Sequence, residues 1–298
     1  MKVLVTGAKG KVGGAVVAAL QAAGHEVVAT DLARPTFERR APGEPAYLQA
    51  DLTDAGHADA VVRGAAVVVH AAAIPDPLHN PPSVVFANNL MATFNVVEAA
   101  VRFGVDRLVN VSSETVPGYF FPERPFLPDY LPVDEQHPVR PQDPYAVAKH
   151  FGEQLMDAAV RRSDLRCLSV RPSWVQGEGN YERNLGPDVR EPQVSAGFWS
   201  YVDVDDLAEL IRLAVESDVP GHEVVYAASP DNSTGRPLAE LVRRHYGDRI
   251  PLRPLARKDA SGISCAKAER LLGWRPTCSW RDYLDEQGRL RPLDERIR

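Results

Sequence analysis

Along the first half of the chain, short runs of apolar residues alternate with longer stretches in which apolar positions recur every three or four residues. The short runs predict strands over Val3–Thr6, Glu26–Thr30, Ala46–Ala50, Ala66–His70, Arg107–Ser112 and Arg166–Arg171. The longer period predicts helices over Val12–Ala23, Ser83–Phe103 (stopped by Gly104) and Tyr145–Arg162. The fourth run is nearly all Val and Ala, which suits a strand buried on both faces. Strand and helix alternating in this way predict βα units: an α/β fold with a doubly wound parallel sheet and ligands at the carboxyl ends of its strands.

Two stretches break the rhythm. Between Val116 and Pro144 the chain carries Pro117, Tyr119, Phe120, Phe121, Pro122, Pro125, Phe126, Pro128, Tyr130 and Pro132, a density of proline that neither a helix nor a central strand tolerates. A loop of this length in a compact domain is usually functional, and it is expected as part of the wall or lid of a substrate pocket. After Arg171 the pattern weakens to a helix near Asp205–Val215, a strand at Glu223–Ala227 and a helix at Leu238–Tyr246. The expected organisation is a dinucleotide-binding Rossmann domain over residues 1–172, followed over 173–298 by a mainly substrate-binding small lobe, some of whose segments return to the first domain.

Composition narrows the partners. With 44% hydrophobic and 25% charged residues the chain reads as an ordinary soluble protein, and a formal charge of −6 with both signs interspersed offers nucleic acid and anionic membranes no basic face. The apolar run at the N-terminus is too short for a signal peptide, and no sequence stretch reaches the roughly 18 consecutive apolar residues of a membrane span. A small-molecule, sugar-like partner and a cytoplasmic location are therefore expected. The three cysteines lack metal-ligand spacing, so neither a metal site nor a disulfide framework is expected.

Between the first strand and first helix stands Gly7-Ala8-Lys9-Gly10-Lys11-Val12-Gly13, where glycines permit a tight turn and close approach to a pyrophosphate at a helix N-terminus. Asp31, followed by Leu32 at the end of the second strand, can hold ribose hydroxyls and repel a 2′-phosphate. That points to NAD, with Arg34 leaving NADP as the alternative. Asp51-Leu52 is positioned for the adenine edge, and Ala71-Ala72-Ala73 after His70 leaves room for the cofactor beside the backbone. His70 itself reads as packed. Tyr145 and Lys149, four residues apart at the start of a helix, share one face. A neighbouring ammonium and a cationic nicotinamide would stabilise a phenolate and fit Tyr145 for acid/base work, with Lys149 also in reach of the nicotinamide ribose. Ser113, at the end of the fifth strand, is the expected holder of the substrate oxygen.

With these residues in hand, the chain resembles the extended short-chain dehydrogenase/reductase superfamily, specifically the NAD-dependent epimerase/dehydratase family. The resemblance covers Thr6–Gly13, Asp51-Leu52, Asn89, the Ser113/Tyr145/Lys149 set, Arg171-Pro172, Tyr201-Val202-Asp203 with Asp205-Asp206, and Leu272-Gly273-Trp274 with Pro276. It implies catalysis by Ser113, Tyr145 and Lys149, cofactor contacts that include Asn89 and Pro172, and a homodimer formed through the helices beginning near Ser83 and Tyr145. Ser113-Glu114-Thr115 departs from the Thr-Asp-Glu of the family's sugar dehydratases, which argues against water elimination. The short segment Gln176–Gly197 departs from nucleotide-sugar epimerases and, with Asn180, Tyr181 and Arg183, is more similar to uronate dehydrogenases. Arg183 would pair a carboxylate. Ile74, Ser112, Glu114, Ser173 and Asn180 complete the expected substrate contacts. The expected activity is hydride transfer between NAD and a carbinol carbon of a sugar or sugar acid. The alternatives are a nucleotide-sugar 4-epimerase and a non-catalytic NAD-binding protein.

Overall fold

A computed structural model describes residues 1–34 and 43–296. The chain order is β1 (Lys2–Thr6), α1 (Lys11–Ala22), β2 (Glu26–Asp31), β3 (Ala46–Gln49), α2 (Ala55–Val62), β4 (Val67–His70), α3 (Pro82–Arg102), β5 (Arg107–Val111), α4 (Pro144–Arg162) and β6 (Arg166–Pro172). Then come β7 (Trp174–Gln176), α5 (Tyr181–Asn184), α6 (Gly186–Arg190), β8 (Tyr201–Asp203), α7 (Val204–Glu216), β9 (His222–Ala227), α8 (Leu238–Tyr246) and α9 (Ala266–Leu272). Seven strands form one parallel sheet in the order β3-β2-β1-β4-β5-β6-β9. The reversal of direction at β1 and β4 opens the crevice in which such sheets bind ligands.

Successive residues of β1 face opposite layers. Val3 and Val5 meet α1 and α7 with Val16, Leu20, Leu207 and Ile211, whereas Leu4 meets α2, α3 and α4 with Val62, Val96 and Met156. Both layers are dry, so β1 and β4 need apolar residues at every inward position and the period-two alternation disappears. The helix α2 was not foreseen. Its eight residues offer little apolar periodicity, and it is started by Asp54, whose carboxylate accepts the N–H of His57.

Strand β9 closes the sheet and α7 packs on α1, so these two segments of the second half belong to the central layers. The remainder builds two smaller clusters. One joins Tyr119, Leu131 and Val133 of the proline-rich loop to Phe198, Trp199, Tyr226, Leu241, Tyr246 and Ile263; the other gathers Tyr181, Leu185, Tyr201, Trp280 and Tyr283. The proline-rich loop is a wall. Val133 donates its N–H to Gly262 and accepts that of Ser264, each at 2.8 Å, and Leu131 is bonded likewise to Pro251 and Arg253. Helix α3 is the one described helix long and apolar enough to cross a membrane, yet half of its apolar window is buried, packed against α2 and α4.

Candidate active site

The glycine loop is shaped by close backbone approach. A Cβ on Gly13 would lie 2.1 Å from the Gly7 carbonyl oxygen, and one on Gly7, at φ +66°, would lie 2.7 Å from the Ala72 nitrogen. No larger residue fits either position. Helix α1 starts with no side-chain cap and no acidic residue in its first turn, so its dipole and N–H groups are free for an anion. These features fit a dinucleotide pyrophosphate held by the loop from Gly7 to Gly13, with Lys9, Gly10, Lys11 and Val12 around it. Asp31 braces the loop by accepting the N–H of Lys9 at 2.9 Å and that of Ala33 at 3.3 Å.

The β4 end is fixed from below. Thr6 accepts the N–H groups of Ala71 and Ala72, and its hydroxyl meets His70, whose other nitrogen meets Thr93. Burial lowers the His70 pKa to about 3, keeping the imidazole neutral and packed. Asn89 spends its side-chain amide on the main chain of Ile74, accepting at 2.8 Å and donating at 3.0 Å. Asn89 therefore acts through the loop that follows Ala73. Asp51 turns one carboxylate oxygen onto Thr53, and Leu52 is buried behind it, while Leu32 is exposed.

Ser113, Tyr145 and Lys149 converge at the end of β5 and the start of α4. Asp143 caps α4 by accepting the N–H groups of Tyr145 and Ala146, fixing the turn that carries the phenol. Ser113 lies near enough to the Tyr145 phenol to influence its pKa and accepts the N–H and hydroxyl of Thr115, and Lys149 donates to the Val111 carbonyl at 2.6 Å with its ammonium 5.8 Å from the centre of the Tyr145 ring. Burial pushes the Tyr145 pKa up to about 12, opposed by the nearby Ser113 hydroxyl. Lys149 is pulled down to about 8 by burial, against the raising effect of Glu153.

The expected substrate residues divide. Glu114 is buried and lines a narrow cleft of about 10 Å³ with Pro117, Tyr119, Phe120, Gly197 and Phe198. Ser112 faces away from that cavity, donating to Glu153 at 2.6 Å in a network closed by the bidentate Arg171–Glu153 pair. Ser173 is likewise spent on β9, donating to the Ala227 carbonyl, and Pro172 accepts the N–H of Glu114. Asn180 and Arg183 stand outside the cavity lining. Arg183 is exposed, donates to the side chain of Asn184, and is close enough to Lys11 for its charge to contribute to lowering the Lys11 pKa. Sequence reasoning missed Tyr226, Gly197 and Ile263 as cavity walls. Phe198, at φ +51°, sits so close to Gly262 that a Cβ there would lie 2.3 Å from the Phe198 Cβ, a contact no local pattern encodes.

Residues 3–227 match the sequence profile of the NAD dependent epimerase/dehydratase family. The chain belongs to that family. It is an NAD-dependent enzyme by that membership, and its parallel sheet is the family's dinucleotide-binding fold. Among its relatives is an L-arabinose 1-dehydrogenase (NAD(P)(+)) of Haloferax volcanii, 30% identical over 74% of this chain and 84% of its own length. Another is a uronate dehydrogenase of Pseudomonas syringae pv. tomato, 26% identical over 78% and 76%. A crystal structure of UDP-galactose 4-epimerase matches with a TM-score of 0.69 and 29% identity over 94% of both chains.

Proposed function

We propose that this protein is a dehydrogenase that transfers a hydride between a carbinol carbon of a single-ring sugar-type substrate and NAD. The observation that carries the reading is the convergence of Ser113, Tyr145 and Lys149 beside the glycine loop and the cleft lined by Glu114. Tyr145 exchanges the proton of the reacting hydroxyl, Ser113 orients that oxygen, and Lys149, anchored on Val111, holds positive charge beside the phenol. NAD supplies the hydride acceptor when bound. The glycine loop, Asp31, Asp51-Leu52, the Ala71–Ala73 strand end and Pro172 would position it.

Relatives named L-arabinose 1-dehydrogenase and uronate dehydrogenase favour a free sugar over a nucleotide sugar. A 4-epimerase is the second reading, since its chemistry would use the same three side chains and a solved relative carries that name. The deciding experiment follows NADH and sugar products together with free aldoses, uronic acids and UDP-sugars. Stoichiometric NADH with a free sugar, abolished in Tyr145→Phe, is expected; a changed UDP-sugar without net NADH would replace this reading by the epimerase. The division into residues 1–172 for cofactor and mainly 173–298 for substrate, a homodimer and a cytoplasmic setting belong to the same proposal. Supporting the dimer, Val84, Met91 and Phe94 of α3 and Phe151 of α4 are all exposed by 40% or more.

A further inference from the structure

Glu114 has an environment that the proposed reaction leaves unused. The carboxyl oxygen Oε2 is buried without a hydrogen-bond partner. That oxygen faces Gly197, where a Cβ would lie 3.3 Å from it and 3.0 Å from the Phe120 ring. The surrounding wall is Pro117, Tyr119, Phe120, Val133, Phe198 and Tyr226. None of the cavity-lining residues is Lys, Arg or His. The buried cations nearby are committed elsewhere, Arg171 to Glu153 and the Tyr226 hydroxyl, Lys149 to Val111. The other titratable groups facing the carboxyl are the phenols of Tyr119, Tyr145 and Tyr226, which offer it no compensating positive charge.

A carboxylate in such a place lacks both hydration and a counter-ion, and the group avoids that cost by keeping its proton. Burial accordingly raises the Glu114 pKa well above the ordinary carboxyl range. The neutral acid then has one O–H donor and nothing in the protein to receive it. We infer that Glu114 is a specificity-determining residue, a neutral carboxylic acid whose Oε2 hydroxyl donates to an uncharged substrate oxygen entering the cleft beside Phe120, Tyr119 and Phe198. On this inference, which rests on the dehydrogenase reading, the substrate class is the neutral sugar or lactol, and a uronic acid is disfavoured because its carboxylate would enter without a cation.

Two measurements test this, one of them independent of turnover. The infrared difference spectrum of wild type minus Glu114→Gln, recorded at pH 7, is expected to contain the C=O stretch of a protonated carboxyl. Carboxylate bands in its place would overturn the inference even if every substrate were turned over. The second compares kcat/KM for neutral aldoses and the matching uronic acids in wild type, Glu114→Gln and Glu114→Leu. Expected are at least a tenfold preference for the neutral sugar, retention within about fivefold in Glu114→Gln, which keeps a donor, and a 10- to 100-fold loss in Glu114→Leu. A wild-type preference for the uronic acid, or a Glu114→Leu variant as active as Glu114→Gln, would refute it. Absence of NADH with every sugar, alongside the protonated-carboxyl band, would count against the dehydrogenase reading and leave the neutral donor standing.

Discussion

At the level of single residues, burial dominates the electrostatics of the candidate site. Tyr145 at about 12 and Lys149 at about 8 are both displaced toward their neutral forms, the phenol upward and the amine downward. Because the folded pKa of Lys149 lies below its unfolded value near 10.5, the fold favours the free amine; that stability is present above pH 10.5 and is lost as pH falls through 8. At pH 7 the ammonium is therefore a net cost to folding. Lys149→Met is expected to raise the Tm at pH 7 by the equivalent of roughly 1–3 kcal/mol while removing at least 100-fold of activity, with the Tm difference shrinking as pH rises toward 10. Differential scanning calorimetry across that range checks it. A Tm below wild type at neutral pH would mean that the bond to Val111 outweighs the desolvation of the charge. His70 follows the same sign. Its folded pKa near 3 lies below the ordinary 6.5, so its contribution is complete above pH 6.5 and is lost as pH falls toward 3. Replacing it by Asn should flatten the acid limb of the Tm profile between pH 6 and 4, and an unchanged limb would show that other groups set it. Tyr145, Lys149 and the glycine loop were legible in the sequence because their spacing is local: four residues apart on a helix, or three glycines in one turn. Ser112 was harder to place for the opposite reason, since Glu153, to which it donates, is brought near only by the fold.

Among the elements, Asp206 shows how two separate segments become one structure. Its carboxylate accepts the N–H groups of Thr277 and Cys278 and the Thr277 hydroxyl, and its carbonyl accepts the indole N–H of Trp274. The start of α7 thereby holds the segment that follows α9. Asp206→Ala removes the acceptor of the buried Cys278 N–H and of the N–H of the exposed Thr277 and is expected to cost about 1–3 kcal/mol, measured by urea unfolding, with Asp206→Asn in between. A cost below 1 kcal/mol would show that water replaces these bonds. Sequence patterning found both segments as resemblances but could not tell that they touch. The same limit explains α2, whose apolar periodicity is too weak to announce a helix, and the proline-rich loop. Its long excursion was legible from proline content, whereas its pairing with Gly262 and Pro251 depends on residues more than a hundred positions away.

For the whole molecule, the remaining question is assembly. Met91 and Phe94 lie on one side of α3, and Phe151 of α4, in edge-to-face contact with Phe86, continues the patch. Burying such side chains against a second copy is worth about 1.5–3 kcal/mol each. Wild type is expected to sediment as a dimer at micromolar concentration and Phe94→Glu as a folded monomer. A monomeric wild type would remove the dimer from the proposal.

The sequence by itself determined the doubly wound architecture, because parallel strands buried on both faces must be apolar throughout and their helices must be amphipathic. It also determined the glycine loop, because only glycine allows backbone to approach backbone so closely. The tertiary structure alone decided where the buried polar groups point. Ser112 is turned onto Glu153, a residue distant in the chain, and whether a buried carboxyl such as Glu114 has a counter-ion depends on how all the surrounding elements pack.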